Sequence, residues 1–495
     1  MPHLIQNNIT NLVMDNDILN FYENRHVLVT GGTGFLGKSL LEKLLRCCDT
    51  LEKVYVLLRR KRGVCAEQRF CKLKENLVFD RIRDKNPDIL DKLVLIKGDV
   101  TLQNLGLSES DRSLITSKVS LIFHVAATVR FDEGLKDAIS LNTLGTKQIM
   151  DLAMNIRNLA MVVHVSTAYC YPGHAIVEET VGTPDIQWTH LVDNVKNWSS
   201  DMPTSITSRI LGRHPNTYTL SKQLAEQVVL SYSHRIPVTI VRPSIVTAAR
   251  SEPFPGWVDN ISGITGIMME IGRGTISSIF CDENLIVDLV PVDFVADVLI
   301  CSAWESVNIC NKRIEFSPRV YNCTSGSSNP ITWRRLGQLT VQCARRNPTR
   351  HAVLYPGFSY RLSRIQHRLV ETLLHMLPAM VLDTFLRIRG TKPIKEGSQS
   401  IPSMTKIARR FKTAAKAGEY FATNQWEFRE NNLRSLNSAV SKTQDAPRFL
   451  TDISTMDWPA YIEVYMLGIR KYVLRDGLET LPYARRKLHS LHSTA

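Results

Sequence analysis

The stretch from His26 to Arg46 reads HVLVTGGTGFLGKSLLEKLLR. Its first five residues, His26 to Thr30, have the apolar character of a short buried strand. Gly31, Gly34 and Gly37 follow with the spacing G-x-x-G-x-x-G, and Leu40, Leu41, Leu44 and Leu45 then recur at helical spacing. Strand, glycine turn and helix N-terminus in that order form the front half of a dinucleotide-binding βαβ unit. The first glycine permits the tight turn. The second lets backbone approach a pyrophosphate, and the third lets the helix pack close to its strand. The helix N-terminus, with Phe35, Leu36 and Gly37 in its first turn, presents unpaired N–H groups and partial positive charge to the phosphates.

Outward from this unit the chain alternates strands with helices. Lys53 to Leu58 (KVYVLL) reads as a second strand, and it ends in Arg59, Arg60, Lys61 and Arg62. A binder of the unphosphorylated dinucleotide places an acid here to accept from the ribose 2′-OH. Cations instead suit a 2′-phosphate held by Arg59 or Arg60, which favours NADPH; the plain alternative is a solvated basic loop. Lys92 to Val100 is a third strand that brings Asp99 and Val100 to the adenine side. Leu121 to Ala127 is a fourth, whose small Ala126 and Ala127 let a cofactor lie close. His124 inside that strand reads as a satisfied core histidine. A helix is expected over Leu141 to Met154, and a fifth strand over Ala160 to Thr167, ending in Ser166 and Thr167. Tyr171 to His214 has no strong period and reads as an insertion on the substrate side. A sixth strand, Pro237 to Arg242, leads to Pro243 at its cofactor-side end. The pattern predicts an α/β fold with a Rossmann-like, doubly wound parallel sheet, its ligands beyond the carboxyl ends of the strands.

Tyr218 and Lys222 lie four apart in the helical stretch NTYTLSKQLAE, which puts both on one face. A phenol has a reference pKa of about 10. A neighbouring ammonium is expected to lower it and also to hold ribose hydroxyls. Thr167, with Ser166 as the alternative, supplies a second hydroxyl. Together Thr167 and Tyr218 can stabilise charge developing on a carbonyl oxygen, with Tyr218 delivering the proton.

At 495 residues, 44% hydrophobic and 22% charged, the chain has ample core and more than one domain. Its net charge of +14 accompanies no nucleic-acid-binding motif. The surplus therefore points to phosphate-bearing small molecules and lipid headgroups. The ten cysteines include no C-x-x-C pair and no zinc spacing. They are expected to be reduced thiols in a cytosol-facing protein without a metal site.

The combined stretches TGGTGFLGK, KGDV, FHVAATVRFDE, HVSTAY, NTYTLSK, VRPSIV, GWVDN and PVDFVAD resemble the extended short-chain dehydrogenase/reductase superfamily. Within it they closely resemble the alcohol-forming fatty acyl-CoA reductases. HMLPAMVLD, NQWEFREN, DWPAYI and GIRKY extend that likeness into the C-terminal part. The resemblance implies that Gly31, Gly34 and Gly37 carry the cofactor turn, that Tyr218 and Lys222 are the active-site pair, and that Thr167 is the hydroxyl position. The implied reaction reduces a long acyl-CoA to a primary alcohol with two NADPH, through an aldehyde and without a covalent acyl-enzyme. The rival readings are a sugar-nucleotide epimerase or dehydratase of the same superfamily, and a non-catalytic acyl-CoA- or membrane-binding protein.

The expected layout is a flexible arm at 1–20, the nucleotide-binding domain at 21–330 and a basic connecting segment at 331–364. A helical domain at 365–475 and a basic tail at 476–495 complete it. Arg130 is assigned to phosphates or to a surface pair with Asp132 or Glu133. Asp288 and Asp293 are assigned to ordering turns. The apolar segment Leu369 to Ile388 contains Glu371, His375, Pro378 and Asp383, too polar for a spanning helix. Two short amphipathic helices around Pro378 are expected to dip into one leaflet or to line an acyl channel, and a basic helix carrying Lys406, Arg409, Arg410, Lys412 and Lys416 suits an anionic membrane surface. The resemblance places that surface at the endoplasmic reticulum, with peroxisomal membrane or lipid droplet as alternatives; the oligomeric state is not readable.

Overall fold

A computed structural model describes residues 17–493, except 184–185, 196–197, 199–202, 311–316, 371, 373–376 and 389–403. Seven strands form the central sheet: β1 His26–Thr30, β2 Lys53–Leu58, β3 Leu93–Lys97, β4 Leu121–His124, β5 Met161–Val165, β6 Val238–Pro243 and β7 Arg319–Cys323. All pairings in it are parallel. The order β7-β6-β5-β4-β1-β2-β3 turns back between β1 and β4, the crevice where such sheets bind their ligands. Sequence reading found six of the seven. RVYNC of β7 is short, carries Arg319 and Asn322, and sits at the sheet edge, so no long apolar run announces it.

Strand side chains alternate between two cores, as the period of two requires. Val27, Val29, Val54, Val56, Phe123 and Val163 enter one. Leu28, Tyr55, Leu57, Ile122 and Val162 enter the other. The main helices are α1 Phe35–Cys47, α2 Thr217–Tyr232, α3 Val292–Cys310, α4 Trp333–Arg346, α5 Arg364–Val370, α6 Leu377–Ile388, α7 Met404–Ala422, α8 Asn431–Val440 and α9 Trp458–Gly468. Helices α1 and α3 cover the first face, and α2 supplies Val228 and Val229 to the second.

The chain beyond β7 adds to the first core. Trp333, Leu336 and Leu339 of α4, Leu433 and Leu436 of α8, and Tyr461, Ile462 and Tyr465 of α9 all join it. The stretch expected as a connecting segment at 331–364 therefore contains a packed helix. Its arginines mostly meet acids at the surface, Arg334 with Glu283 at 2.9 Å and Arg346 with Glu463 at 3.4 Å. Buried Lys43 ties the two parts together through Glu252 at 2.6 Å, Asp297 at 3.0 Å and the Arg448 carbonyl at 2.6 Å. Asp293 accepts from the backbone of Arg250, Ser251 and Glu252, and Asp288 from Ser325 and Gly326, so both order turns as expected.

The expected arm at 1–20 overlaps a helix, Ile18–Tyr22, that buries Ile18, Phe21 and Tyr22; residues 1–16 lie outside the described ones. Of the apolar segment, α6 covers Leu377–Ile388 with Pro378 second in it, while α5 ends at Val370, two residues into the segment. Glu371 and His375 lie outside the described residues. No helix among the described residues is long and apolar enough to cross a membrane. The expected basic helix is α7, on which Lys412 and Lys416 are exposed; the side chains of Lys406, Arg409 and Arg410 lie outside the described ones.

Candidate active site

The glycine turn is built around one contact. Gly31 has φ +74°, and a Cβ there would lie 2.6 Å from the Ala126 nitrogen on β4's exit. A Cβ at Gly37 would sit 2.2 Å from the Gly31 carbonyl oxygen. Gly34 is exposed, caps α1 without a side chain, and its Cβ would come within 3.2 Å of the same oxygen. The first-turn N–H groups thus face outward beside Gly34, as a pyrophosphate requires. Phe35 and Leu36 are half-buried against the first core, Phe35 stacking on Trp257 at 5.1 Å. Ala126 donates to the Thr30 hydroxyl at 3.1 Å, which also meets His124 Nδ1 at 2.8 Å. His124 Nε2 meets Thr146, and burial pushes the imidazole down to about 3, so it is a neutral core histidine as expected.

At the end of β2 only one of the two candidate arginines turns toward the crevice. Arg59 donates to Asp99 at 3.1 Å, whereas Arg60 is exposed. Sequence reading missed Arg69, which donates to the Arg59 carbonyl at 2.7 Å and to Thr33 of the glycine turn at 2.8 Å. Burial and the neighbouring Arg59 both push the Arg69 guanidinium down, the mark of crowded positive charge. Asp99 accepts from Thr101 and is held below the usual carboxylate range against its own burial. The Val100 side chain belongs to the second core, close to Gly145, and not to the exposed crevice. Ala127 is half-buried and Pro243 is buried at the end of β6. Arg130 pairs with Asp132 at 3.0 Å on the surface.

Helix α2 starts on Asn216, whose side chain accepts from Thr219 N at 3.0 Å. This fixes Tyr218 in the first turn and Lys222 one turn on. The Thr167 hydroxyl lies near the Tyr218 phenol and favours its ionised form. Ser166 is buried and its hydroxyl has no hydrogen-bond partner among the described residues, whereas the Thr167 hydroxyl accepts from the Tyr169 amide at 3.3 Å. Lys222 is buried and donates to the Val165 carbonyl at 2.7 Å, and burial brings its ammonium down to about 8. The expected lowering of the phenol does not occur. Burial pushes Tyr218 up to about 12, Thr167 partly offsetting it, and Lys222 is not among the influences.

Two further supports were not legible. Asn142 holds both the amide and carbonyl of Thr128, at 2.9 and 3.1 Å, and donates to Ser221 at 2.9 Å, joining the exit of β4 to α2. It lies inside a helix that begins at Leu135, earlier than expected. Glu226, one turn beyond Lys222, receives Arg242 through two bonds of 2.8 and 2.6 Å, both side chains being fully buried. An arginine inside the apolar run VTIVRP is the one sequence sign of this pair. Above the phenol stands an aromatic wall: Phe131 lies 5.7 Å from Tyr218 and 5.3 Å from Phe421, and Phe421 lies 5.1 Å from Tyr169.

A turn shaped for pyrophosphate, with a Thr–Tyr–Lys set at the carboxyl end of β5, defines a reductase of the extended short-chain dehydrogenase/reductase type using a nicotinamide cofactor. Two family profiles, both described as male sterility protein, match residues 29–299 and 374–476. Fatty acyl-CoA reductase 1 of Homo sapiens is 38% identical over 477 residues, covering 96% of this chain and 89% of its own. Fatty acyl-CoA reductase 2 of Mus musculus is 33% identical over 481 residues, covering 96% and 91%. The chain belongs to the fatty acyl-CoA reductase family. In fold it is similar to the terminal R domain of the myxalamid PKS-NRPS pathway (TM-score 0.59, 21% identity, 92% and 91% covered). It is also similar to a reductase domain of a non-ribosomal peptide synthetase from Mycobacterium tuberculosis (TM-score 0.57, 18% identity, 94% and 99% covered).

Proposed function

We propose that this chain reduces long-chain fatty acyl-CoA to the primary alcohol with NADPH, in two steps through an aldehyde. The placing of Tyr218 and Lys222 one turn apart on α2 with Thr167 near the phenol, in a chain whose relatives are named fatty acyl-CoA reductases, is the observation that carries it. NADPH, when bound, supplies hydride to the acyl carbonyl carbon. Gly31, Gly34 and Gly37 with the open start of α1 would hold its pyrophosphate, and Arg59 and Arg69 its 2′-phosphate. Thr167 and Tyr218 donate to the acyl oxygen as negative charge builds there. Collapse of that oxyanion expels CoA thiolate and leaves an aldehyde in the same place. Tyr218 then protonates the alkoxide of the second reduction, and Lys222 keeps positive charge beside the phenol side of the site. Cys170 is no nucleophile: burial pushes its thiol up, and it donates to Glu226 at 3.3 Å.

Purified protein given NADPH and hexadecanoyl-CoA is expected to release free CoA and hexadecanol. Arg69→Ala is expected to weaken NADPH binding about tenfold, the worth of a charge-assisted hydrogen bond, while leaving NADH binding nearly unchanged. Equal losses for both cofactors would remove the 2′-phosphate from this reading.

The lipid partner in this reading is an anionic membrane surface. Ile365, Leu369, Met380, Val381 and Ile388 of α5 and α6 are each more than half exposed. Large apolar side chains so concentrated mark a contact surface. Exposed Arg368, Lys412 and Lys416 lie in the same part of the chain. The protein is expected to float with phosphatidylserine-containing vesicles and Met380→Glu/Val381→Glu to stay at the bottom of the gradient; equal flotation would sink the assignment.

A further inference from the structure

Two stretches of the sequence, GWVDN and GIRKY, take no part in the chemistry above, and the fold brings their glycines together. Gly256 has φ +73°, and a Cβ on it would lie 2.3 Å from the Val464 carbonyl oxygen. A Cβ on Gly468, the last residue of α9, would lie 1.8 Å from the Gly256 carbonyl oxygen. Backbone therefore meets backbone, and neither position has room for a side chain. Two tyrosines of α9 fasten the same segment. The Tyr461 hydroxyl donates to the Ala248 carbonyl at 2.8 Å, and the Tyr465 and Thr265 hydroxyls pair at 2.7 Å. Tyr461, Tyr465 and Gly468 follow one another at intervals of four and three. One stripe of the helix thus holds residues 248–265.

From α9 this segment runs along the cofactor helix. Glu252 meets Lys43 at 2.6 Å and Arg46 at 2.7 Å in the later turns of α1. Trp257, next to Gly256 and fully buried, packs on Phe35 at 5.1 Å. Asp259 pairs with Lys38, whose amide closes the first turn of α1 on the Gly34 carbonyl at 2.9 Å. Phe35 and Lys38 bracket Leu36 and Gly37, in the turn whose free N–H groups serve the pyrophosphate.

We propose that residues 248–265 are a strap through which α9 sets the position of the cofactor turn, with Gly468, Tyr465 and Asp259 as positioning residues. Amides already fixed in place bind a pyrophosphate at full strength. A turn that must be ordered on binding gives up that cost from its affinity. The C-terminal part therefore acts on the dinucleotide through the strap. This goes beyond the acyl-CoA reading and needs only that a dinucleotide binds at Gly31, Gly34 and Gly37.

The test measures binding of NADPH and, in a parallel arm, of NADH to the full-length protein by titration calorimetry, with no turnover involved. Tyr465→Phe and Asp259→Asn are each expected to raise both dissociation constants about three- to tenfold, the cost of ordering one or two loosened side chains. The two cofactors should lose by equal factors, because the pyrophosphate is common to both. Gly468→Ala is expected to lose at least as much; if it does not fold, the other two variants decide. Leu436→Ala, a core change in α8, should lower the unfolding midpoint and leave both constants near the parent's. Constants unmoved by the strap variants overturn the proposal, and so does an equal rise in Leu436→Ala. A parent protein that binds neither dinucleotide overturns the cofactor turn and the strap together. Dinucleotide binding without acyl-CoA reduction overturns the acyl-CoA reading alone.

Discussion

Tyr218→Phe loses acyl-CoA-dependent NADPH oxidation by about a hundredfold to ten-thousandfold, the usual worth of a positioned proton donor. The substitution removes one oxygen and keeps the ring against Phe131. Cofactor affinity and unfolding midpoint are therefore expected to stay near those of the parent, which separates lost chemistry from lost structure. The aldehyde step suffers most, because its alkoxide has no other donor than Thr167. Presented with a long-chain aldehyde in place of the thioester, Tyr218→Phe should lose at least as much rate. A near-normal aldehyde rate would take Tyr218 out of the proton path. Burial adds a pH signature. The Lys222 ammonium titrates at about 8, so its charge is present at neutral pH and lost above that value. The parent's rate should fall as pH rises through about 8, long before the phenol itself ionises.

Glu226→Gln costs about 3–5 kcal/mol of folding stability, read as a lower urea midpoint at unchanged slope. The cause is the Arg242 guanidinium, which has no exposed surface and loses its counter-charge. Its remaining partners, the Glu178 and Thr180 carbonyls at 2.8 Å each, are dipoles and not charges. A paired Glu226→Leu/Arg242→Met replacement is expected to cost much less, because both charges then leave together. The wild-type pair also shapes acid stability. Burial pushes the Glu226 carboxyl up, but Arg242 and its hydrogen-bond donors hold it below the usual carboxylate range. Its stabilisation is thus complete above about 4.3, the unfolded value, and is lost only as pH falls through the lower folded one. A Glu226→Gln protein that unfolds at the parent's urea concentration would show that the pair is not needed for the fold.

Local signals carried much of this molecule. Strand β1, the glycine spacing and the Tyr218–Lys222 interval depend on residues within one turn or one strand of each other, and each lies where the sequence puts it. Local order does not choose between the two hydroxyls at the end of β5. Ser166 and Thr167 are adjacent and equally buried, and the side chains around them come from α2, about fifty residues further on. Arg69 escaped notice because it sits on the helix after β2, and the chain must fold back before it meets Thr33. The phenol's rise to about 12, where a fall was expected, came from burial, which no four-residue spacing encodes. Phe421 is 203 positions beyond Tyr218 in the chain, so no motif could join them.

That last separation has a bearing on biosynthesis. While the ribosome is still making residues before Phe421 and Trp426, the phenol lacks the roof that Tyr169 and Phe131 lean on, and α1 and α3 wait for α8 and α9. A nascent chain therefore carries the glycine turn, Tyr218 and Lys222 before the aromatic residues that cover the phenol exist.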